Sequence, residues 1–584
     1  MPDFTTGIES NQNPYKIVGV ISPTMAIKRH KRGGRVYLAE YKSERINGVV
    51  KSTYVRYVGV EGTPKITPKP RVNKEPKLEF SRTTQTGDVT VLWHLAEKLG
   101  IREIIDQICL GLDYSMKITP GKILSIWAIN RVIDPESATQ LPEWVRATDL
   151  PLLTGISPES FSKDVFLESL DFLCSNDHDS GRIFDLSPPI EDRLCQRWRQ
   201  VHPLPPGESE VVAYDMTAIL FHGDTCPIAS LGYNAEHIAR KQVNLAILVS
   251  KYDRYPIFHF TYSGDRNTIT TIKNLFCRLS DLAIKPGTVI WDRGNVSEKS
   301  IKCIEDLHWD IICGLSKTAT VVQTILHDTD IPKTPQYQVK KTACGGVYAR
   351  KVRSEIYGKM RSITIYANPH AAIEKSERRN ALLLTLSQKI SPILQNSENY
   401  KKETVIATLK SVLKSKFRFF IFTFGESKDR VTGTWEFNEE AIKDAQQSDG
   451  KWAILSTKDN LGAKEVIDEY FGKDFVEKKF QDAKSGREIM PVRHRLENRV
   501  ISYIFLNVLA LRIHTAFVNL FRSAFPEDAA ERASDFLKKM ARVERTYVTI
   551  DHKQKTIFLN LTPDLEKTLK IIGLENLFQC TDSL

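Results

Sequence analysis

The stretch VVAYD, at Val211–Asp215, begins the hundred residues that decide the fold, because it is an apolar strand pattern that ends in a carboxylate. Two further strand patterns follow it, VNLAILV at Val243–Val249 and PIFHFTYSG at Pro256–Gly264. After them come a helical stretch (TITTIKNLFCRLSDL), the strand TVIWD at Thr288–Asp292, a second helical stretch (VSEKSIKCIEDL) and the strand WDIICGL. Three strands followed by helix, strand, helix and strand predict a mixed sheet covered by helices, which is an α/β fold.

In a second stretch, YFGKDFVEKKFQDAK at Tyr470–Lys484, the spacing of the polar residues places them on one face of a helix. At about 100° per residue, Tyr470, Lys473, Glu477 and Lys484 fall within an arc of roughly 60°. Asp474 lies about 60° from Glu477 round the same helix and is a rival candidate for an acidic role. Gly472 disfavours an uninterrupted helix, since Gly inside a helix costs about 1 kcal/mol relative to Ala. A solvated face with ordinary i,i+4 pairs has the same spacing.

Asp215, Asp292 and Glu477 are candidates for a three-carboxylate cluster, two from strand ends and one from the helix. Strand ends at the rim of a sheet are common positions for catalytic groups. Carboxylate oxygens suit Mg²⁺ or Mn²⁺, and two such ions about 3.5–4 Å apart activate a nucleophile and stabilise a leaving oxygen at a phosphodiester. Lys473 and Lys484 would then hold phosphates as point charges, and a tyrosine hydroxyl would donate to a phosphate oxygen.

The order of these segments and their amino-acid sequences resemble those of the Asp-Asp-Glu transposases of bacterial and archaeal insertion sequences. The matching segments are YDMT, WDRGNVS, LGYNAEHIARKQVNLAILVSKYDRYPIFHFTYSGDRNT, KWAILSTKD and MPVRHRLENRVISYIFLNVLAL. The stretch Tyr470–Lys484 is similar to the signature Y-(2)-R-(3)-E-(6)-K of one group of these transposases. Here the four signature positions are Tyr470, Lys473, Glu477 and Lys484. The resemblance runs from about Ala213 to Leu511. Lys473 stands where the signature has Arg, so the charge is kept but a bidentate grip on phosphate is lost.

The resemblance implies an RNase H-like core and cut-and-paste transposition with Mg²⁺, or Mn²⁺ in its place, as two ions. Asp215, Asp292 and Glu477 would hold the metal and catalyse, and Tyr470, Lys473 and Lys484 would bind DNA phosphates. The implied partners are the terminal inverted repeats and target DNA, both double-stranded, with a homodimer joining the ends. A nuclease or resolvase on the same core is the alternative enzyme, and a DNA-binding relative with a decayed core is the alternative outside enzymes.

Charge along the chain also points to a polyanion. Lysines and arginines outnumber acidic residues by 82 to 71 in the 584 residues. Between Lys28 and Arg82 there are fifteen basic residues against five acidic ones, which is the footprint of a nucleic-acid partner. This arm contains a predicted hairpin around Asn47–Gly48 and then a linker rich in Pro and Lys.

The amino-acid composition further narrows the class of protein to which this chain can belong. Hydrophobic residues at 41% and charged residues at 26% are typical of a globular protein. The nine cysteines form no C-x-x-C pair, so neither a zinc site nor a disulfide framework is expected. The most apolar stretch, Val500–Phe521, contains Asn507, Arg512 and His514 and is expected to be a buried helix, not a membrane span. Without a signal-peptide pattern, a cytoplasmic location is expected.

The predicted organisation is a multi-domain α/β protein with a mainly helical N-terminal region and a β-rich module inserted in an RNase H-like mixed sheet. The predicted segments are 1–80 (basic hairpin and linker, DNA-binding), 81–205 (helical, DNA-binding or dimerisation), 206–316 (core, first part), 317–457 (β-rich insertion), 458–525 (core, second part, with the glutamate helix) and 526–584 (C-terminal helical or extended tail).

Overall fold

A computed structural model describes most of the chain and divides it into two compact units, Met1–Lys77 and Leu78–Leu584. The described residues are 24–46, 49–63, 78–80, 82–109, 118–176, 183–234, 237–266, 268–282, 284–293, 296–342, 345–427, 430–486, 489–550 and 553–579. The division falls close to the predicted boundary after residue 80. The finer division into six segments stays a prediction.

The first unit is a three-stranded antiparallel sheet, ordered β1-β2-β3. The predicted hairpin is present as β2 and β3, although its Asn47–Gly48 turn lies outside the described residues. Sequence reasoning missed β1. The Gly33–Gly34 pair was its signal, because both residues have positive φ, as a tight two-residue hairpin turn requires. The strands are β1 (Thr24–Arg32), β2 (Arg35–Ile46) and β3 (Val49–Val60).

The second unit begins with the expected, mainly helical region. Its helices bury apolar faces such as that of α3, whose Pro120 occupies the first turn, where no intrahelical N–H partner is lost. The elements are β4 (Leu78–Phe80), β5 (Thr84–Gln85), α1 (Gly87–Lys98), α2 (Ile101–Cys109), α3 (Pro120–Ile133), α4 (Leu141–Ala147), α5 (Leu150–Thr154), α6 (Lys163–Leu173), β6 (Cys174–Asn176), β7 (Ile183–Asp185) and α7 (Ser187–Val201).

The predicted strands and helices of the core all occur, in the predicted order. They are β8 (Val211–Leu220), β10 (Lys241–Ser250), β11 (Pro256–Ser263), α8 (Thr268–Asp281), β12 (Thr288–Trp291), α9 (Glu298–Asp306) and β13 (Asp310–Gly314). A two-residue strand that was not predicted, β9 (Ser230–Leu231), pairs with β10. β8 is antiparallel to β10, which is antiparallel to β11, whereas β12 is parallel to both β8 and β13. The expected RNase H-like mixed sheet flanked by helices is confirmed.

The prediction that a strand ends at Asp215 was wrong. β8 continues to Leu220, because Met216 to Leu220 stay paired with β10. On its other side β8 pairs with β12 only from Val211 to Ala213. Asp215 therefore lies in mid-strand, just beyond the last position paired with β12, where the two neighbouring strands separate.

Residues 317–457 add both strands and helices. Four of their strands extend the central sheet, whose order is β11-β10-β8-β12-β13-β19-β16-β15-β14 with β9 beside β10, and β17 and β18 form a separate hairpin. The insertion therefore widens the central sheet. Its elements are α10 (Thr320–Asp328), β14 (Gln338–Thr342), β15 (Gly345–Ile356), β16 (Lys359–Ala367), α11 (Pro369–Gln395), α12 (Lys402–Leu413), β17 (Phe420–Ser427), β18 (Arg430–Phe437), α13 (Glu439–Gln447) and β19 (Lys451–Ser456).

The remaining helices and strands tie the C-terminal part to the N-terminal one. They are α14 (Ala463–Phe471), α15 (Asp474–Gln481), α16 (Glu497–Arg522), α17 (Ala529–Met540), β20 (Glu544–Ile550), β21 (Lys553–Leu559) and α18 (Pro563–Ile571). β20 pairs with β4 and β5 from the start of the unit. Helices α1, α3, α16 and α17 share one hydrophobic core.

Helix α16 is the one described helix with the length and apolar composition to cross a membrane, but 89% of its apolar window is buried inside the protein. Its polar residues find partners there. Buried Arg512 donates to the carbonyl oxygen of Pro256 at 2.9 Å and to the carboxylate of buried Glu191 at 2.8 Å. As the sequence predicted, α16 is a core helix.

Candidate active site

Three donors converge on one oxygen of Asp292, the residue that follows β12. The hydroxyl of Tyr470 donates to Oδ1 at 2.7 Å, and the ammonium of Lys473 lies 3.1 Å from the same oxygen. The backbone N–H of Arg293 donates to it at 3.1 Å. Burial alone would raise the pKa of Asp292, but Tyr470 and Lys473 outweigh it and hold that pKa below its ordinary value. Asp292 is therefore kept ionised.

Tyr470 is placed by α14, which packs its apolar side on the sheet. Val466, Ile467 and Tyr470 are buried against Ile290 of β12 and Ile312 of β13. Burial, and then the charge of Asp292, raise the pKa of Tyr470 far above its usual value, so the phenol stays protonated and acts as a donor.

Gly314, at the end of β13, makes room for the Tyr470 hydroxyl. A Cβ at this position would lie 2.5 Å from Oη of Tyr470, closer than non-bonded atoms approach. Sequence reasoning missed Gly314. Its signal was a glycine at the end of a buried strand pattern, which is typical of close approach by another group.

Asp215 faces the side of the sheet that α15 covers. Ala213 and Ile219, which share its face by alternation, pack in one cluster with Phe475 and Phe480 of α15. Its Oδ1 accepts a hydrogen bond from the N–H of Met216 at 2.8 Å. This face brings Asp215 under the helix that carries Glu477.

The pKa of Asp215 is raised to about 6. The main cause is burial, and the negative charges of Asp292 and Glu477 add to it, while the positive charge of Lys473 opposes it. The charges of Asp292, Glu477 and Lys473 therefore all act on Asp215 in the folded chain. Asp292, Glu477 and Lys473 also line one pocket.

The prediction of one continuous helix over Tyr470–Lys484 was wrong. α14 ends at Phe471, α15 begins at Asp474, and a five-residue π-helical turn, Asp482–Gly486, follows α15. The two helices bury their apolar residues in different clusters on the sheet, so packing divides the segment at Gly472 and Lys473. Tyr470, Lys473 and Glu477 nevertheless line one pocket, whereas half-buried Lys484 lies in the π-helical turn and does not line it.

Glu477 and its rival Asp474 both line this pocket, but they differ in their electrostatic partners. Glu477 acts on Asp215. Asp474 forms an i,i+4 ion pair with Lys478 at 3.1 Å. It also acts on Arg254, and both residues line a second pocket that Glu477 does not line. The geometry therefore favours Glu477 over Asp474 as the third carboxylate of the site, and this assignment stays a prediction.

The pocket has a volume of about 400 Å³ and a wall that sequence reasoning did not identify. Tyr366 of β16 and Trp452 of β19 stack there with ring centroids 5.2 Å apart. The ammonium of Lys317 lies 4.3 Å from the centroid of Trp452, and burial followed by the charge of Lys375 lowers the pKa of Lys317 to about 8. Trp452 stands in the KWAILSTKD segment, so the matching segment itself was the available signal.

The donor chemistry fits a hard divalent cation, although the carboxylates are not gathered round one point. Among the described residues, no group of three or more His, Cys, Asp or Glu side chains lies close enough together to hold a metal ion. Burial is the main cause of the raised pKa of Asp215, and the carboxylates of Asp292 and Glu477 add to it. Carboxylate oxygens are suitable ligands for Mg²⁺ or Mn²⁺.

No protein-family model and no curated protein matches the sequence. Solved structures do match it, among them the piggyBac transposase, whose cryo-EM structure is of a synaptic complex with hairpin DNA. The alignment covers 86% of this chain and 88% of that chain, with 11% sequence identity and a TM-score of 0.37. At these values the function has to be argued from the geometry of the site.

Proposed function

We propose that this chain is an insertion-sequence DNA transposase that binds terminal inverted repeats, cuts DNA at the ends of its element and joins the cut ends to target DNA. One observation carries the proposal: Asp292, Lys473 and Glu477 line one pocket, and the charges of all three act on Asp215 at its mid-strand position. Such carboxylates next to a cation suit phosphodiester chemistry, in which negative charge enters and grows at the site.

In the proposed reaction, a water oxygen attacks phosphorus and the P–O3′ bond breaks, which leaves a 3′-hydroxyl and a 5′-phosphate. The freed 3′-hydroxyl then attacks a target phosphodiester and displaces its 3′ oxygen. Two divalent cations, Mg²⁺ or Mn²⁺, would be held by Asp215, Asp292 and Glu477. When bound, such ions activate the attacking oxygen and neutralise charge on the leaving one.

The residues round Asp292 have separate roles in this proposal. Tyr470 holds the carboxylate in place through its hydroxyl and remains protonated. Lys473 pairs with Asp292 in the free protein and would turn to a DNA phosphate on binding, as a compact point charge suited to phosphate. Lys484, beyond the pocket, would hold a more distant phosphate. A homodimer would pair the two ends, and cytoplasmic location is part of the proposal.

The test is a gel assay with duplex DNA from both sides of the coding region, scored for complexes and for cut strands. Glu477→Gln keeps the side-chain size, so it is expected to bind DNA normally and to lose cutting by orders of magnitude. Asp474→Asn is the matched control on the same helix and is expected to cut like wild type. Wild-type cutting by Glu477→Gln, or undiminished wild-type cutting in EDTA, would overturn the proposal.

A further inference from the structure

The three-stranded sheet of the first unit has two chemically different faces. Opposite residues of paired strands share a face, and successive residues alternate, so the strand register assigns each side chain. We name the tyrosine face by its members Lys28, His30, Arg32, Arg35, Tyr37, Tyr41, Arg45, Tyr54 and Tyr57. We name the carboxylate face by its members Ile27, Arg29, Lys31, Glu40, Lys42, Glu44, Lys51 and Arg56.

Side-chain contacts agree with this assignment. On the tyrosine face, the ammonium of Lys28 lies 4.9 Å from the centroid of the Tyr41 ring. Tyr41 also packs edge-on against Tyr54, with centroids 5.7 Å apart, and its hydroxyl lies 3.1 Å from Nε2 of His30. Tyr37 and Tyr57 have centroids 6.2 Å apart. The four tyrosines therefore form two aromatic pairs on the same face of the sheet.

Carboxylates are confined to the other face. Arg56 donates to Glu40 at 2.6 Å, and Lys42 pairs with Glu44. In the described strands of this sheet, no Asp or Glu belongs to the tyrosine face. Three of the five cations on the carboxylate face, Arg29, Lys42 and Arg56, are therefore paired with glutamates. The cations of the tyrosine face have no carboxylate beside them on their own face.

The tyrosine face is also exposed. Every residue of β1 is exposed, as are Arg35 and Arg45 of β2. Tyr54 and Tyr57 of β3 are 54% and 52% exposed. A surface that holds cations without carboxylates and leaves aromatic rings in solvent is complementary to a polyanion that also offers flat or apolar edges.

We propose that the tyrosine face of this sheet, and not its carboxylate face, binds duplex DNA. Strands lie about 4.8 Å apart, so three strands span about 10 Å, which is close to the width of about 12 Å of the major groove. The lysine and arginines contact phosphates, and the tyrosines contact base edges and sugars. This inference rests on the proposed function, since it assigns the DNA-binding surface of the proposed transposase.

The first test compares two double variants of the full chain that each remove two exposed positive charges. Lys28→Ala with Arg45→Ala alters the tyrosine face, and Lys31→Ala with Lys51→Ala alters the carboxylate face. Binding to a labelled 30-bp duplex of mixed sequence is measured by fluorescence anisotropy across a salt series. The first variant is expected to bind about tenfold more weakly near 0.1 M salt, with a salt slope reduced by about 2, and the second to bind like wild type.

A second pair of variants replaces one uncharged residue on each face, so the net charge of the protein stays the same. Tyr54 and Ile27 are 54% and 56% exposed, on the tyrosine and carboxylate faces respectively. Tyr54→Ser is expected to weaken binding several-fold, and Ile27→Ser is expected to leave it unchanged. Equal losses from the two faces, in either pair of variants, would overturn the proposal.

A third measurement uses the wild-type chain, so it does not depend on how the variants fold. Lysines are acetylated with and without the duplex, and modification is read by mass spectrometry. Lys28 is expected to be protected by DNA, while Lys31, three residues along the same strand and on the other face, stays reactive. Protection of Lys31 without Lys28 would assign the opposite face. These outcomes are independent of cutting, so failure of the cleavage assay and failure of this inference are distinguishable.

Discussion

The hydroxyl of Tyr470 donates a 2.7 Å hydrogen bond to Oδ1 of Asp292, a residue 178 positions earlier in the chain. This bond ties the end of α14 to the end of β12. Together with Lys473 it lowers the pKa of Asp292, against the effect of burial. The carboxylate is therefore positioned and kept ionised by the helix that leads to Glu477.

Tyr470→Phe removes this hydrogen bond and keeps the ring. The pKa of Asp292 is then expected to rise, because a donor that stabilises its ionised form is lost. The acid limb of the pH profile for DNA cutting should move to higher pH, while DNA binding is unchanged. Tyr366→Phe, on the other wall of the pocket, is the control; an identical shift in that variant would contradict the assignment to Tyr470.

Gly314→Ala is expected to push the Tyr470 hydroxyl away from Asp292, because the new Cβ would lie 2.5 Å from Oη. Cutting should fall and the protein should lose stability, as overpacking typically costs about 1–3 kcal/mol. Combining Gly314→Ala with Tyr470→Phe removes the clashing atom, so the double variant should show less than the sum of the two losses. Wild type, the two single variants and the double variant form a double-mutant cycle, which is measured by urea unfolding and by cutting rates. Strictly additive effects would show that residue 314 and the Tyr470 hydroxyl are not in contact.

Asp215→Asn is expected to stabilise the metal-free protein above pH 6. Its folded pKa is raised from 3.8 to about 6, so the ionised carboxylate destabilises the fold above that range, and the cost disappears below pH 3.8. The gain should be on the order of 2 kcal/mol at pH 8 and smaller at pH 5, measured by urea unfolding in EDTA. Added Mg²⁺ should stabilise wild type and not the variant. A gain independent of pH would show that the charge is not its cause.

Lys484→Ala is expected to reduce cutting partially, because Lys484 lies in the turn after α15 and outside the pocket. Losing a phosphate contact loosens the substrate but leaves the carboxylates in place. Lys478→Ala, on α15 and paired with Asp474, is the matched control and should cut like wild type. Complete loss of cutting in Lys484→Ala would place this lysine in the chemistry itself.

A fragment of residues 1–204 is expected not to fold as it does in the full chain. Helices α1 and α3 bury residues such as Leu95 and Trp127 in a core shared with Phe505, Phe517 and Met540 of α16 and α17. Truncation would expose that apolar surface. Circular dichroism and dye binding should show a loosely packed or aggregated fragment; a cooperative unfolding transition would contradict the prediction. Sequence-specific DNA contacts of this region are therefore best measured in the full chain.

Sequence alone determined the order of strands and helices in the core and the position of Asp292. Both depend on local patterns, since alternation, helical periodicity and a polar residue after an apolar run are fixed by neighbours in the chain. The buried strands β10 and β12 have such patterns, with apolar runs that end at polar residues. Helical spacing also grouped Tyr470, Lys473, Glu477 and Lys484, and the resemblance to a known signature supported that group.

Only the tertiary structure decided how these residues meet. Local spacing predicted one helix over Tyr470–Lys484, but separate packing of Val466 and Phe475 on the sheet divides it at Gly472. Pairing with β10 carries β8 past Asp215, and the space beside Gly314 admits Tyr470. These outcomes depend on contacts between residues far apart in sequence, so the energy that selects them appears only when the chain is packed.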